Sequence, residues 1–267
     1  MARSYDIVKT TQDLDYLSWS ESVQPSGLGG SRPKAREGVG PNAIYYKRRH
    51  PGELGRAFED CLVELICSRF YALLSLECVP VQLVHATLGE NEPAQWLIRS
   101  KSYRKLGERA LPLETFHELR GLPNETPLDL CLRMGWHDQI AKMVLADYLL
   151  ATRDRDASCF EVLCSREGTY RLSPCAPRAF SLTKAFPGQT WRLFATTDFN
   201  TTNYLGSSSL EENLSLVPGS VTLPRLGSRI RKSLFAGLED IADPGFLEAC
   251  WTILSRRWEH FESLRHL

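Results

Sequence analysis

The sequence predicts an α+β protein built in two lobes, and three observations predict it. Strand-like stretches crowd residues 1–105 around one long apolar helix. Residues 106–267 read mainly as helices, so strands come first and helices later. Within the second part an apolar helical run, Asp147-Tyr148-Leu149-Leu150, stops at a charged knot, Arg153-Asp154-Arg155-Asp156, and the chain resumes as a strand, Phe160-Glu161-Val162-Leu163.

The elements follow in order. Residues 1–24 open with a short strand-like stretch and continue through Leu14, Leu17 and Trp19. Residues 25–42 are rich in Gly, Pro, Ser and basic side chains, the composition of a loop. Ile44-Tyr45-Tyr46-Lys47 is β-branched and aromatic, hence a strand, and Pro51-Gly52 breaks the chain after it. From Glu53 to Leu76, apolar residues (Phe58, Leu62, Leu65, Ile66, Phe70, Leu73, Leu74) recur at helical spacing. Val79–Leu88 and Gln95–Ser100 read as strands joined by a turn at Gly89-Glu90-Asn91. In the second lobe Leu113–Arg120 is a helix closed by Gly121-Leu122-Pro123. Leu128–Leu150 carries two helices around Gly135-Trp136. Strands are expected at 160–164 and 170–172, around a turn at Arg166-Glu167-Gly168. Helices are expected at 210–214, 228–238 and 244–264.

Composition excludes several classes. With 43% hydrophobic and 24% charged residues the 267-residue chain is globular. Its 32 Lys and Arg balance its 32 Asp and Glu, which gives a nucleic-acid partner no electrostatic footprint. No 18-residue apolar stretch and no basic-then-apolar leader is present, so neither membrane insertion nor secretion is expected. None of the eight cysteines forms a CxxC pair, which argues against a zinc site of the usual spacing and for reduced thiols in the cytoplasm.

The segment from Asp147 to Leu163 resembles the catalytic loop of the HipA-like Ser/Thr protein kinases. That family's pattern reads Asn-x-Asp-Arg-His-x-x-Asn before an apolar strand. Asp154 and Arg155 stand where the family places its catalytic Asp-Arg pair, and Thr152, Asp156 and Cys159 replace the Asn, the His and the second Asn. Similar segments run through roughly residues 14 to 262: Gly135-Trp136-His137-Asp138, Asn203-Tyr204-Leu205-Gly206-Ser207, Glu212-Asn213-Leu214 and Arg256-Arg257-Trp258. The resemblance implies a protein-kinase-like fold with a small strand-rich N-lobe, residues 1–105, and a mainly helical C-lobe, residues 106–267.

Phosphoryl transfer needs a loop over the phosphates, a lysine on them, a carboxylate that positions the nucleophile, and metal ions that spread charge. The loop expected is Ser26-Gly27-Leu28-Gly29-Gly30-Ser31-Arg32-Pro33-Lys34, in which Gly29, Gly30 and Ser31 bring backbone amides to an anion and Lys34 adds charge. Lys47 follows an apolar pair on a strand. Glu64, in Glu64-Leu65-Ile66-Cys67-Ser68-Arg69, resembles the family's Glu-x-x-x-Ser-Arg helix and is its expected partner. Asp154 is expected to orient the substrate hydroxyl and Arg155 to fix the loop.

The metal positions depart from the family. Cys159 replaces an Mg²⁺-binding Asn. In Ser173-Pro174-Cys175-Ala176-Pro177-Arg178-Ala179-Phe180-Ser181-Leu182 the metal-binding Asp becomes Pro177 and the Gly becomes Ala179. Mg²⁺ takes oxygen ligands, and a thiol and a proline supply none from their side chains. No residue is therefore assigned to metal. ATP is the cofactor the resemblance implies, with Arg178 or Arg153 as cations that could hold phosphates without metal. The expected function is a pseudokinase that binds nucleotide or protein as a regulatory module. The competing expectation is an atypical kinase or nucleotidyl transferase that uses Lys47, Asp154 and Asp156. A protein partner or substrate is expected in either case.

Overall fold

The structure is a computed structural model that describes residues 6–20, 32–48, 57–90, 92–186, 190–198, 201, 204–221 and 223–265. Its strands are β1 (Ile7–Asp13), β2 (Lys34–Glu37), β3 (Ile44–Lys47), β4 (Val81–Thr87), β5 (Gln95–Lys101), β6 (Arg109–Pro112), β7 (Glu161–Cys164) and β8 (Tyr170–Leu172). Its helices are α1 (Ala57–Leu73), α2 (Leu113–Arg120), α3 (Pro127–Arg133), α4 (His137–Leu150), α5 (Trp191–Phe194), α6 (Ser228–Phe235) and α7 (Pro244–Arg265). This is the mixed α+β order expected: an N-terminal sheet, then a mostly helical region.

Five strands form one sheet in the order β1-β4-β5-β3-β2, with β1 parallel to β4 and every other pair antiparallel. Alternation along β4 and β5 gives this sheet two apolar faces. Val81, Leu83 and Ile98 join the main core with α1, while Val84, Ala86 and Leu97 pack on the other face with Leu14, Leu17 and Tyr46. Because α1 is covered by the sheet on one side and by α4 and α6 on others, it is buried almost all round from Cys61 to Tyr71. Such a helix has little room for charge, yet it carries Glu64 at its centre.

The main core runs without a break from α1 through Val144, Leu145 and Tyr148 of α4 to Ile253, Leu254 and Trp258 of α7. A second, three-stranded sheet, β6-β7-β8, brings the segment after the charged knot back towards α2. Among the described residues no helix is long and apolar enough to cross a membrane, and none of the eight cysteines is in a disulfide.

Four elements differ from the sequence expectation, one of them the short helix α5, where no helix was expected. Lys34–Glu37, expected within a loop, is a strand, because the charged run Lys-Ala-Arg-Glu pairs antiparallel along all of β3. Tertiary pairing here outweighs poor strand composition. Arg109–Pro112 was not expected as a strand. It pairs only with β7, and its proline ends it at the start of α2. The helix expected at 210–214 is a 3-10 turn, Glu212–Leu216.

Candidate functional site

The charged knot is shaped first by how α4 ends. Ala151 adopts the left-handed conformation, φ 55°, and the Thr152 amide reaches back to the Asp147 carbonyl at 2.8 Å. This is a Schellman-type stop made without the usual glycine. It throws the chain out of the helix at Thr152, whose hydroxyl meets that of Ser181 at 2.7 Å and ties the knot to the segment after Pro177.

Arg155 fixes the loop from beneath. It is fully buried and forks onto Asp147, with Nε to Oδ2 at 2.5 Å and Nη2 to Oδ1 at 3.0 Å. Nη2 also donates to the Tyr71 hydroxyl at 2.7 Å, and Nη1 to the Ala176 carbonyl at 3.2 Å. Burial works against the guanidinium charge, but the Asp147 carboxylate outweighs it, and the Arg155 pKa is raised. Tyr204 completes the cluster with a hydrogen bond to Asp147 Oδ2 at 2.9 Å. Arg155 is thus a positioning residue that joins α4, α1 and the segment before Pro177. Asp147, Tyr71 and Tyr204 are partners that motif reading did not assign. A carboxylate inside the apolar run Val144–Leu150 was the available signal, because a charge there has to be paired.

Asp154, one residue earlier, keeps its side chain 35% exposed. Its Oδ2 accepts from Arg178 Nη2 at 2.7 Å and Nε at 3.2 Å, and Arg178 Nη2 also donates to the Asp154 carbonyl at 3.0 Å. Its Oδ1 is buried and has no hydrogen-bond partner among the described residues. Cys159 closes the loop, its thiol 3.4 Å from both the Asp154 carbonyl and Asp156 Oδ1. Burial raises the Cys159 pKa. Asp156 Oδ1 also accepts from the Ser158 hydroxyl at 2.5 Å.

On the β3 side of α1, Lys47 Nζ lies 2.6 Å from Glu64 Oε1, with the two side chains 8% and 0% exposed. Strand β3 supplies the lysine and the buried helix α1 the carboxylate, so the pair joins sheet to helix. Lys34 sits directly opposite Lys47 in the β2–β3 ladder and is itself buried. Opposed residues of an antiparallel pair share a face, where like charges repel, and the Glu64 carboxylate beside Lys47 offsets that repulsion. Gly29, Gly30 and Ser31, the other candidate phosphate contacts, lie outside the described residues.

Two further cations join α1 to its surroundings. Arg32 pairs with Asp60, and Lys184 lies 3.1 Å from Glu59 and 3.0 Å from Asp60. Lys184 lies two residues beyond Leu182, whose φ of 49° is strained for a leucine. The segment after Pro177 is therefore held to the first turn of α1.

Mg²⁺ does not fit this donor set. Among the described residues no three His, Cys, Asp or Glu side chains come together as a metal cluster. Where the sequence resemblance expects metal ligands, this chain presents a thiol, a buried proline and, on Asp154 Oδ2, a guanidinium. Like unit charges 4 Å apart near a protein surface repel by roughly 4 kcal/mol, and a divalent ion beside Arg178 would meet more than that.

The sheet, the buried helix with its Lys–Glu pair and the loop closing α4 define a protein-kinase-like fold. The crystal structure of a Helicobacter pylori proinflammatory kinase, CtkA, superposes on it with a TM-score of 0.61, covering 92% of this chain and 93% of that one at 12% sequence identity. At that identity the likeness shows the fold alone. No protein-family model matches the sequence, and no curated protein does.

Proposed function

We propose that this chain is a HipA-like kinase-fold protein that acts as a pseudokinase, a cytoplasmic regulatory module that binds nucleotide or a protein partner. Its N-lobe would be residues 1–105 and its C-lobe residues 106–267. The observation that carries the reading is the clasp of Arg178 on Asp154. A carboxylate that orients a substrate hydroxyl needs a free oxygen facing that hydroxyl, and here the half-exposed Asp154 gives Oδ2 to a guanidinium. Cys159 and Pro177 add to it, because metal ions normally spread the charge that develops on the transferred phosphoryl group. Their loss costs several kcal/mol in the transition state, a rate lower by roughly 10³ or more. The Lys47–Glu64 pair supports a retained nucleotide site.

A second reading, an active atypical Ser/Thr kinase or nucleotidyl transferase, draws on one observation: Asp154 Oδ1 has no partner among the described residues and would accept a proton if the loop opened. One experiment separates the two. The full chain is incubated with Mg²⁺ and ATP labelled on either the α- or the γ-phosphate, alone and with a general Ser/Thr protein substrate. We expect no incorporation above that of Asp154→Ala. Asp154-dependent transfer of the γ-label would make the chain a kinase, and transfer of the α-label a nucleotidyl transferase.

A further inference from the structure

Resting on the reading of this cleft as a nucleotide site, we propose that it takes nucleotide phosphates without a divalent metal and that the Arg178 guanidinium supplies the cation the metal would have been.

The geometry selects Arg178 among the arginines of the site. Arg155 is fully buried and spends its donors on Asp147, Tyr71 and Ala176. Arg153 lies over the Phe186 ring, 5.1 Å from its centroid. Arg178 uses Nε and Nη2 on Asp154, while its Nη1 makes no hydrogen bond among the described residues and its side chain stays 15% exposed. One edge of the guanidinium is thus held and the other is left to give. A planar fork held on one edge suits a phosphate oxygen, because its direction is fixed before the ligand arrives.

Its place in the fold points the same way. The Arg178 carbonyl lies 3.8 Å from the Cys67 thiol, and Cys67 is three residues, about one turn, beyond Glu64 on α1. Arg178 therefore flanks the helix that carries the partner of Lys47. One oxygen of each nearby carboxylate is engaged: Asp154 Oδ2 by Arg178, and Asp156 Oδ1 by Ser158 and Cys159. A guanidinium stays charged at every working pH, so a site built on it needs neither metal nor titration to meet a phosphate.

The test is calorimetric titration of the full chain with ATP and with ADP, in EDTA and in Mg²⁺, for the wild type, Arg178→Ala and Arg178→Lys. We expect wild-type affinity in EDTA to match that in Mg²⁺ within about twofold. Loss of one charge-assisted contact should weaken binding in EDTA about tenfold in Arg178→Ala, with Arg178→Lys in between because it keeps the charge and loses the fork. Binding that requires Mg²⁺ overturns the inference and leaves the nucleotide reading standing. So does EDTA binding that is unchanged in both variants. No binding by the folded wild type under any condition overturns both. Should Arg178→Ala fail to fold, the Arg178→Lys titration decides alone.

Discussion

Two walls of the fold, strand β3 and the charged loop, use the same device, a lysine or arginine paired with a carboxylate, to opposite ends. On the β3 wall Lys47 and Glu64 are both out of water, at 8% and 0% exposure, and join a strand to a helix. On the loop wall Arg178 and Asp154 keep 15% and 35% exposure and join two loops. Solvent decides what each pair is worth. A buried charge that loses its partner has nowhere to go, whereas a half-exposed one finds water. The first pair is framework, and the second can be rearranged by a ligand at little expense. The same kind of ion pair can thus serve as framework in one place and as a looser tie in another.

The strongest way to break this comparison is to remove the framework below the loop wall. Arg155→Met leaves the Asp147 carboxylate buried without its cation, and stability should fall by about 3–5 kcal/mol. Urea denaturation followed by far-ultraviolet circular dichroism measures it. A loss under about 1 kcal/mol would mean that water reaches Asp147 and the loop does not depend on Arg155. Next, Lys47→Met should cost about 3 kcal/mol, because Glu64 keeps only Arg32 at 3.8 Å. The double variant Lys47→Met with Glu64→Leu should recover most of that loss while still failing to bind nucleotide. If it also recovered binding, the Lys–Glu pair would be structural only. Arg178→Ala is the contrasting case. Its stability should change by less than about 1 kcal/mol, and a change as large as that of Lys47→Met would erase the distinction between the walls.

Much of this was legible in the residues, and what was not has a physical cause. The helical spacing of Phe58, Leu62, Leu65 and Ile66 located α1, the aromatic run at Tyr45 and Tyr46 located β3, and the resemblance to HipA-like kinases singled out Lys47 and Glu64 on them. Each depends on a pattern within one element. Strand β2 was hidden because Lys-Ala-Arg-Glu has no strand pattern and becomes one only beside β3. The Arg178–Asp154 clasp spans 24 residues between two loops, and no periodicity reports on loop against loop. The link from Lys184 to Glu59 and Asp60 was invisible for the same reason. Asp147 was visible as a charge in an apolar run, but its partner followed only from the turn at Ala151 that folds Arg155 back beneath the helix.

The smallest expected effect concerns Cys159, and it sharpens the account of the loop wall. A thiol reacts as its thiolate, and burial raises the Cys159 pKa. The Arg178 and Arg155 charges pull the other way without reversing the shift. At pH 8 Cys159 should therefore stay protonated and alkylate more slowly than the half-buried Cys78 and Cys164, as mass spectrometry after brief iodoacetamide treatment of the native protein would read. The sign of the linked stability follows. Folding holds the proton on Cys159 more tightly than the unfolded chain does, so its contribution is complete below the ordinary thiol range near pH 8.5 and is lost as pH rises through it. The fully buried Cys175 and Cys250, both pushed up to about 12 by burial, act in the same direction. If Cys159 were instead labelled first at pH 8, Arg178 would be stabilising a thiolate as well as Asp154. The loop wall would then hold a reactive sulfur at Cys159.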